Sequence, residues 1–329
     1  MDMPGFKLDM GALMDTKAPE SGTEYEMLVL GGGPAAMNAA IYAARKMVKL
    51  AVLTKDFGGQ MLETSEVENW LGYQTVDAKD LASQFEEHVK SFEIPVSLGP
   101  SIKKVEKEGD VFKVTTDDGK TYKGKTIVYA LGMHHRSLGV PGENTFSGKG
   151  VAYCATCDAP FYKKKKVVVV GGGNSAFTTA LDLSKVEATI TVINFVKGWD
   201  ADGSLVKRVK HYDLAELLDY HQVLEIKGKE KVGSVLIKDR ETEQRREIEA
   251  DGVFVEIGLQ TNIGPVKDLV NMNQQGEIEV DCSCRTNVKG FFAAGDVTTV
   301  PYKQIVIAAG EGAKAALAAH QYLVSEELV

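Results

Sequence analysis

Tyr25-Glu26-Met27-Leu28-Val29-Leu30-Gly31-Gly32-Gly33-Pro34-Ala35-Ala36 decides how the chain is read. The first six residues predict a buried strand, and a G-x-G-x-x-A turn follows. A helix is expected from about Pro34 to Met47, with Ala39, Ala40, Ala43 and Ala44 small enough to pack tightly on a sheet. Leu50 to Thr54 supplies a second short strand. Strand, glycine turn, helix, strand is the dinucleotide-binding unit. Glycine at 31 permits the tight turn, and glycine at 33 lets backbone N–H groups approach a pyrophosphate at the helix N-terminus. A carboxylate ordinarily closes the second strand. Thr54 stands there instead, with Asp56 two residues on, so ribose recognition stays open.

The signature returns 140 positions later, from Gly31 to Gly171. Val167 to Val170 reads as a strand, and Gly171-Gly172-Gly173-Asn174-Ser175-Ala176 is again G-x-G-x-x-A. A helix to about Ser184 and a strand from Thr189 to Ile193 complete the unit, an internal duplication of the nucleotide-binding plan. Glycines 171 and 173 also suit a tight turn with close helix packing and no ligand. Val253-Phe254-Val255-Glu256-Ile257-Gly258 closes this unit, and Gly290-Phe291-Phe292-Ala293-Ala294-Gly295-Asp296 returns as a strand ending in an acid. Asp296 either holds a ribityl or ribose hydroxyl or caps a helix. After Tyr302-Lys303-Gln304-Ile305 an alanine-rich helix runs to about Leu323, its first turn able to aim at a ring carbonyl.

Between the duplicated units lies Cys154-Ala155-Thr156-Cys157-Asp158. Two residues between cysteines allow a small disulfide, and such pairs lower the pKa of one thiol. The other readings are half a zinc site or two buried thiols. A zinc site needs about four ligands, yet only Cys282 and Cys284 remain and no histidine is close in sequence to either pair; no metal is expected. Asp158 either caps a helix or exchanges protons with the thiols, its pKa raised by burial. Two nucleotide units around a dithiol describe an electron path: one nucleotide delivers, a second stores, a disulfide receives.

Lesser signals fill in the rest. Gly58-Gly59-Gln60 and Glu68-Asn69-Trp70 read as polar loops, with glycines that admit a planar ligand. Leu81, Phe85, Val89 and Phe92 recur at helical spacing and read as core. Ile102 to Tyr122 alternates, with a hairpin at Asp118-Gly119, and Ile127 to Gly132 is a buried strand ending in glycine. His134 and His135 are surface residues or a proton relay. Trp199 stacks on a base, docks a partner or packs its loop. Glu277 to Val280 suggests a strand that would carry Cys282 and Cys284 on one face at ~6.6 Å, beyond disulfide reach. They read as structural or incidental, with an auxiliary thiol pair as the alternative.

At 329 residues the chain fits about two domains, and 44% hydrophobic with 26% charged residues is ordinary for a globular protein. No apolar run reaches the ~18–20 residues that span a bilayer, so no membrane partner is expected. Residues 1–24 lack the basic start and apolar core of a signal peptide, which implies a cytoplasmic protein with a flexible leader or docking arm. A net charge of −8 gives no support to nucleic-acid binding, and Lys163 to Lys166 reads as a solvated turn.

Together these motifs resemble the low-molecular-weight flavoprotein disulfide reductases: bacterial thioredoxin reductase and the reductase component of the alkyl hydroperoxide system. Glu68-Asn69-Trp70 looks like the former, and Gly295 to Gln304 more like the latter. The resemblance, over Tyr25 to Leu323, implies an α/β protein with two Rossmann-like three-layer ββα domains, the second inserted into the first. Residues 25–147 and 267–329 would bind FAD, and residues 148–266 would form the inserted pyridine-nucleotide-type domain with the dithiol. It implies FAD contacts from Gly31, Gly33, Pro34, Ala35, Gly59, Gln60, Asn69, Gly132, Gly295, Asp296, Lys303, Gln304 and Ile305. A second nucleotide would meet Gly171, Gly173, Asn174, Ser175 and Asn194. Cys157 would make the charge-transfer contact with flavin, Cys154 would attack the acceptor disulfide, and Asp158 would move the proton. A homodimer, a thioredoxin-like acceptor and a domain rotation hinged near Gly142 to Gly148 and Gly264 are also implied. The peroxide-system relative carries an extra N-terminal thioredoxin-like module. With only a short leader here, a separate protein acceptor is expected.

One departure concerns the donor. A 2′-phosphate needs cationic groups after the second strand of the inserted domain, and Asn194-Phe195-Val196-Lys197-Gly198-Trp199-Asp200 offers one lysine. Asp200 and Asp202 would repel phosphate, while Asn194 can bond a diol without charge assistance. NADH is therefore ranked above NADPH. Ferredoxin as donor, a flavin-bound sensor of low turnover, and an enzyme acting on a small disulfide or a peroxiredoxin are the competing readings.

Overall fold

The computed structural model describes residues 18–63 and 66–329, so the first seventeen residues of the expected leader lie outside the described residues. The opening stretch folds as read. Strand β1 (Glu24–Leu30), helix α1 (Pro34–Arg45) and strand β2 (Leu50–Thr54) follow one another, with β1 parallel to β2. Alternation along β1 sorts its side chains. Met27 and Val29 join a core with α1, and Leu28 and Leu30 enter a second core on the opposite face.

Short strands β3 (Glu66–Val67) and β4 (Val76–Asp77) pair ahead of helix α2 (Ala78–Lys90). The Asp77 carboxylate caps α2, accepting from the Lys79 and Asp80 amides at 2.8 and 3.1 Å. Leu81 and Val89 are buried as expected; Phe92 lies two residues past the helix and still packs on the core. Strand β5 (Val96–Leu98) adds to β2, and β6 (Ile102–Glu108), β7 (Val111–Thr116) and β8 (Thr121–Tyr129) form an antiparallel meander. The alternating run therefore holds two hairpins, one at Asp118-Gly119 and one at Gly109-Asp110. Strand β9 (Met133–His135) then leaves this sheet.

The second unit repeats the plan. After β10 (Val151–Ala152) and the short helix α3 (Ala155–Asp158) come β11 (Lys166–Val170), α4 (Asn174–Lys185), β12 (Thr189–Ile193), α5 (Gly203–Lys210) and β13 (Ala215–Leu218). An antiparallel sheet of β14 (His221–Gly228), β15 (Val232–Asp239) and β16 (Arg245–Glu249) precedes β17 (Gly252–Val255). The five-stranded parallel sheet has the order β10-β17-β11-β12-β13. Val167 and Val169 pack on α4, and Val168 and Val170 pack on β14 and β15. Each unit is thus a parallel sheet with helices on one face and antiparallel strands on the other, the two-domain Rossmann-like arrangement expected.

Strand β18 (Leu259–Thr261) pairs antiparallel with β9, so the outgoing and returning segments run side by side. Strand β19 (Phe291–Ala293) joins the first sheet parallel to the end of β8. Helix α6 (Ile305–Ser325) then packs along α1. No helix among the described residues is long and apolar enough to cross a membrane.

The expected strand through Cys282 and Cys284 is corrected. Ile278 makes only isolated bridges and residues 281–284 form a turn, with Cys284 at φ +63°. The two side chains therefore part: Cys282 is exposed and Cys284 fully buried, its thiol 3.0 Å from the Glu311 carboxylate.

Candidate active site

Separated segments converge on the N-terminus of α1. Gly31 (φ +124°) leaves no room for a side chain against the Ala130 carbonyl. Gly33 is the extended N-cap of α1, Pro34 follows, and no side chain caps the first turn. Those N–H groups and the helix dipole favour an anion. A β-carbon on Gly59 would lie 3.6 Å from the Gly33 Cα, and one on Gly295 2.9 Å from the Ala35 Cβ. Gln60 donates to the Met133 carbonyl at 2.5 Å, next to Gly132, and the Asn69 amide donates to the Gln304 side chain at 3.0 Å. Gln304 is the extended N-cap of α6 and makes no side-chain cap, so Ile305 opens a second uncapped helix end.

Asp296, delivered by Gly295, has its pKa raised to about 6 by burial, partly offset by Lys303. Such a carboxylate is suited to accepting hydroxyl protons from a ligand. Glycine cradle, two uncapped helix ends and a buried acid together fit FAD. Lys303 is spent on its own loop: its ammonium binds the Thr298 and Val300 carbonyls at 2.5 and 2.9 Å and pairs with Glu277 at 3.0 Å. Thr54 likewise turns inward, donating to the Asp56 carbonyl at 2.6 Å.

Cys154 is disulfide-bonded and stands at the N-cap of α3. The Cys157 backbone belongs to α3; its side chain lies outside the described residues. Asp158 is 7% exposed and makes no capping hydrogen bond at the start of the following turn. Burial, then the Asp158 and Asp251 charges, push Tyr162 up to about 12. Helix α3 lies against β3, just before Glu68-Asn69-Trp70.

Sequence reasoning missed a buried acid that anchors the segment just ahead of Cys154. Glu143 is 2% exposed and accepts from the Leu138 and Gly139 amides, both at 2.9 Å, and from the Tyr153 hydroxyl at 3.1 Å. Tyr153 stacks on His135 at 4.9 Å. Burial, helped by His134, lowers His135 to about 4, so it stays neutral near pH 7; His134 is exposed and bonds Asn262 at 2.9 Å.

At the second glycine turn, a β-carbon on Gly171 would overlap the Glu256 carbonyl. Gly173 is the uncapped N-cap of α4. Asn174 and Asp202 exchange two bonds, at 3.2 and 2.7 Å. Ser175 and Thr179 both donate to Glu256, whose pKa is raised by burial. Asn194 is buried beside Gly172 and gives its amide to the Gly198 carbonyl at 2.6 Å. Trp199 packs edge-on against Phe177 at 5.0 Å, the loop-packing reading.

The family model described as pyridine nucleotide-disulphide oxidoreductase matches residues 25–312. One component of the alkyl hydroperoxide reductase of Pseudomonas putida is 42% identical over 308 residues, covering 91% of this chain and 58% of that protein. A protein of Bacillus subtilis named NADH dehydrogenase is 40% identical over 315 residues, covering 96% and 62%. The chain thus spans about three fifths of the curated relatives it matches. The crystal structure of a thioredoxin reductase from Streptococcus pyogenes is 36% identical, covers 93% of this chain and 100% of that one, and superposes with a TM-score of 0.86. A Lactococcus lactis thioredoxin reductase in an FR conformation, 33% identical with 92% and 99% covered, gives 0.63.

Proposed function

The chain belongs to the pyridine nucleotide-disulphide oxidoreductase family, and from that premise we propose that it is a thioredoxin reductase-like enzyme. It passes electrons from a donor through FAD and the Cys154–Cys157 pair to a thioredoxin-like protein. One observation carries the reading: disulfide-bearing α3 lies against β3, and the loop after β3 reaches Gln304 at the uncapped end of α6. That contact brings the α3 segment that carries Cys154 toward the rim of the proposed flavin cradle.

FAD, when bound, supplies the two-electron relay between nicotinamide and disulfide. The chain's own residues do the rest. Gly31, Gly33, Pro34, Ala35 and Gly59 would admit the pyrophosphate, Asp296 would take a ribityl hydroxyl, and Asn69, Gln304 and Ile305 would bound the ring. Asp158, buried beside the dithiol, holds the proton that the thiols exchange. Residues 25–147 and 267–329 form the FAD domain, and residues 148–266 form the inserted dithiol domain. Rotation between them presents the dithiol in turn to flavin and to acceptor. The unequal superposition on two reductases of similar identity supports such a rotation. The enzyme acts as a homodimer.

NADH is the favoured donor. The loop after β12 has one lysine and no arginine, and relatives include proteins named NADH dehydrogenase. Ferredoxin is the second reading, because Asn194 spends its amide on Gly198. Anaerobic mixing of the FAD-loaded protein with NADH, NADPH or reduced ferredoxin tests this: NADH should bleach the flavin fastest, and faster bleaching by either rival rejects the ranking. Cys157→Ser, which keeps the attacking Cys154 thiol and removes the partner that would resolve it, should trap a mixed disulfide with oxidised thioredoxin, and no trapping rejects the protein acceptor.

A further inference from the structure

In a dinucleotide unit the adenosine ribose lies beyond the second strand, where a carboxylate takes a diol or an arginine takes a 2′-phosphate. Here that place is the loop after β12, and two other segments are built onto it. The Tyr220 amide donates to the Val196 carbonyl at 3.1 Å, and the Arg240 amide to the Tyr220 carbonyl at 3.0 Å. This ladder brings the β15–β16 turn, distant in sequence, onto residues 195–197.

The cations of this cluster are already engaged. The Arg240 guanidinium lies 3.8 Å from the Phe195 ring centre and 4.6 Å from that of Tyr220, and donates to the Phe195 carbonyl at 2.6 Å. The Lys197 ammonium stands 4.9 Å from the Tyr220 ring centre and 3.0 Å from the Glu241 carboxylate. Glu241 is fixed in turn, its amide donating to Asp239 at 2.7 Å. Phe195 remains half exposed, a flat apolar face at the cluster's edge.

We propose that Glu241 is a specificity-determining residue of the second nucleotide site: by holding Lys197 it denies a 2′-phosphate its cation and leaves the site to a plain ribose diol. The inference rests on reading that site as the nicotinamide donor's. A dianionic phosphate beside the pair meets a lysine whose charge Glu241 already offsets and so gains little from it, whereas an uncharged diol needs no cation.

Calorimetric titration of the FAD-loaded protein with adenosine 5′-diphosphate and adenosine 2′,5′-bisphosphate tests it. Glu241→Gln should tighten the 2′,5′-bisphosphate by about three- to tenfold and leave the 5′-diphosphate within about twofold, the scale of an exposed ion pair. Adding Lys197→Gln should abolish the gain. Glu241 is largely exposed, so folding is not at risk. An unchanged preference in Glu241→Gln, or a gain that survives Lys197→Gln, overturns the proposal while the donor reading stands. Binding of neither compound overturns both.

Discussion

The Tyr153 hydroxyl donates to the buried Glu143 carboxylate across 3.1 Å, one residue ahead of Cys154. Tyr153→Phe leaves that carboxylate its two amide donors and should cost about 1–2 kcal/mol; Glu143→Ala strands the Leu138 and Gly139 amides and should cost roughly 2–4 kcal/mol. Urea unfolding measures both. A Glu143→Ala protein as stable as the parent would remove Glu143 from its supporting role.

Two glycines of α6 should respond with opposite signs. Gly310 has open space around a β-carbon, so Gly310→Ala should stabilise by about 0.5–1 kcal/mol. A β-carbon at Gly312 would overlap the Ala35 carbonyl, which is backbone and cannot swing aside. Gly312→Ala should destabilise by about 1–3 kcal/mol. It should also lower bound FAD, because it displaces the first turn of α1. Thermal melts and the flavin-to-protein absorbance ratio read the two effects.

Asp296 makes the flavin-free protein sensitive to pH. Its pKa rises from 3.8 to about 6 on folding, chiefly through burial. Below pH 4 both states are protonated and nothing is lost. Between about pH 4 and 6 the native state binds more protons than the unfolded state, so stability falls as pH rises. Above pH 6 the full penalty stands, about 3 kcal/mol at 1.36 kcal/mol per pKa unit. Flavin-stripped Asp296→Asn should therefore melt higher than the parent at pH 7.5 and level with it near pH 4, yet bind FAD more weakly. A constant difference across that range would count against the assignment.

Oxidised native protein should alkylate at Cys282 quickly and at Cys284 only after unfolding. Cys284 is fully buried, and burial together with the Glu311 carboxylate drives its thiol pKa strongly upward. Iodoacetamide labelling read by mass spectrometry distinguishes the sites. Equal rates would mean that the 281–284 turn opens readily.

Local signals marked what local forces build. The two glycine turns, the helices that follow them and the parallel strands around them were all legible, because residue size and alternation determine them within a few positions. Gly109-Asp110 turned the chain without a strong hairpin signal. Glu277 to Val280 suggests a strand, yet Ile278 finds only isolated bridges. Arg240 could not be tied to Phe195, forty-five residues earlier, without the backbone ladder through Tyr220. Glu143 carried no motif; a lone acid after Pro141-Gly142 reads as loop until its three donors are seen.

The pairing of β19 with β8 sets an order of assembly. The first glycine unit waits for residues 291–293, and for α6 behind them, before its sheet and helical layer close. The sheet from β10 to β17 is finished once residue 255 has been made. On a translating ribosome the later-encoded unit can therefore mature first, while the earlier one emerges incomplete and depends on residues 291–325. Synthesis of residues 291–325, rather than emergence of the first glycine turn, then becomes the step on which a flavin site depends.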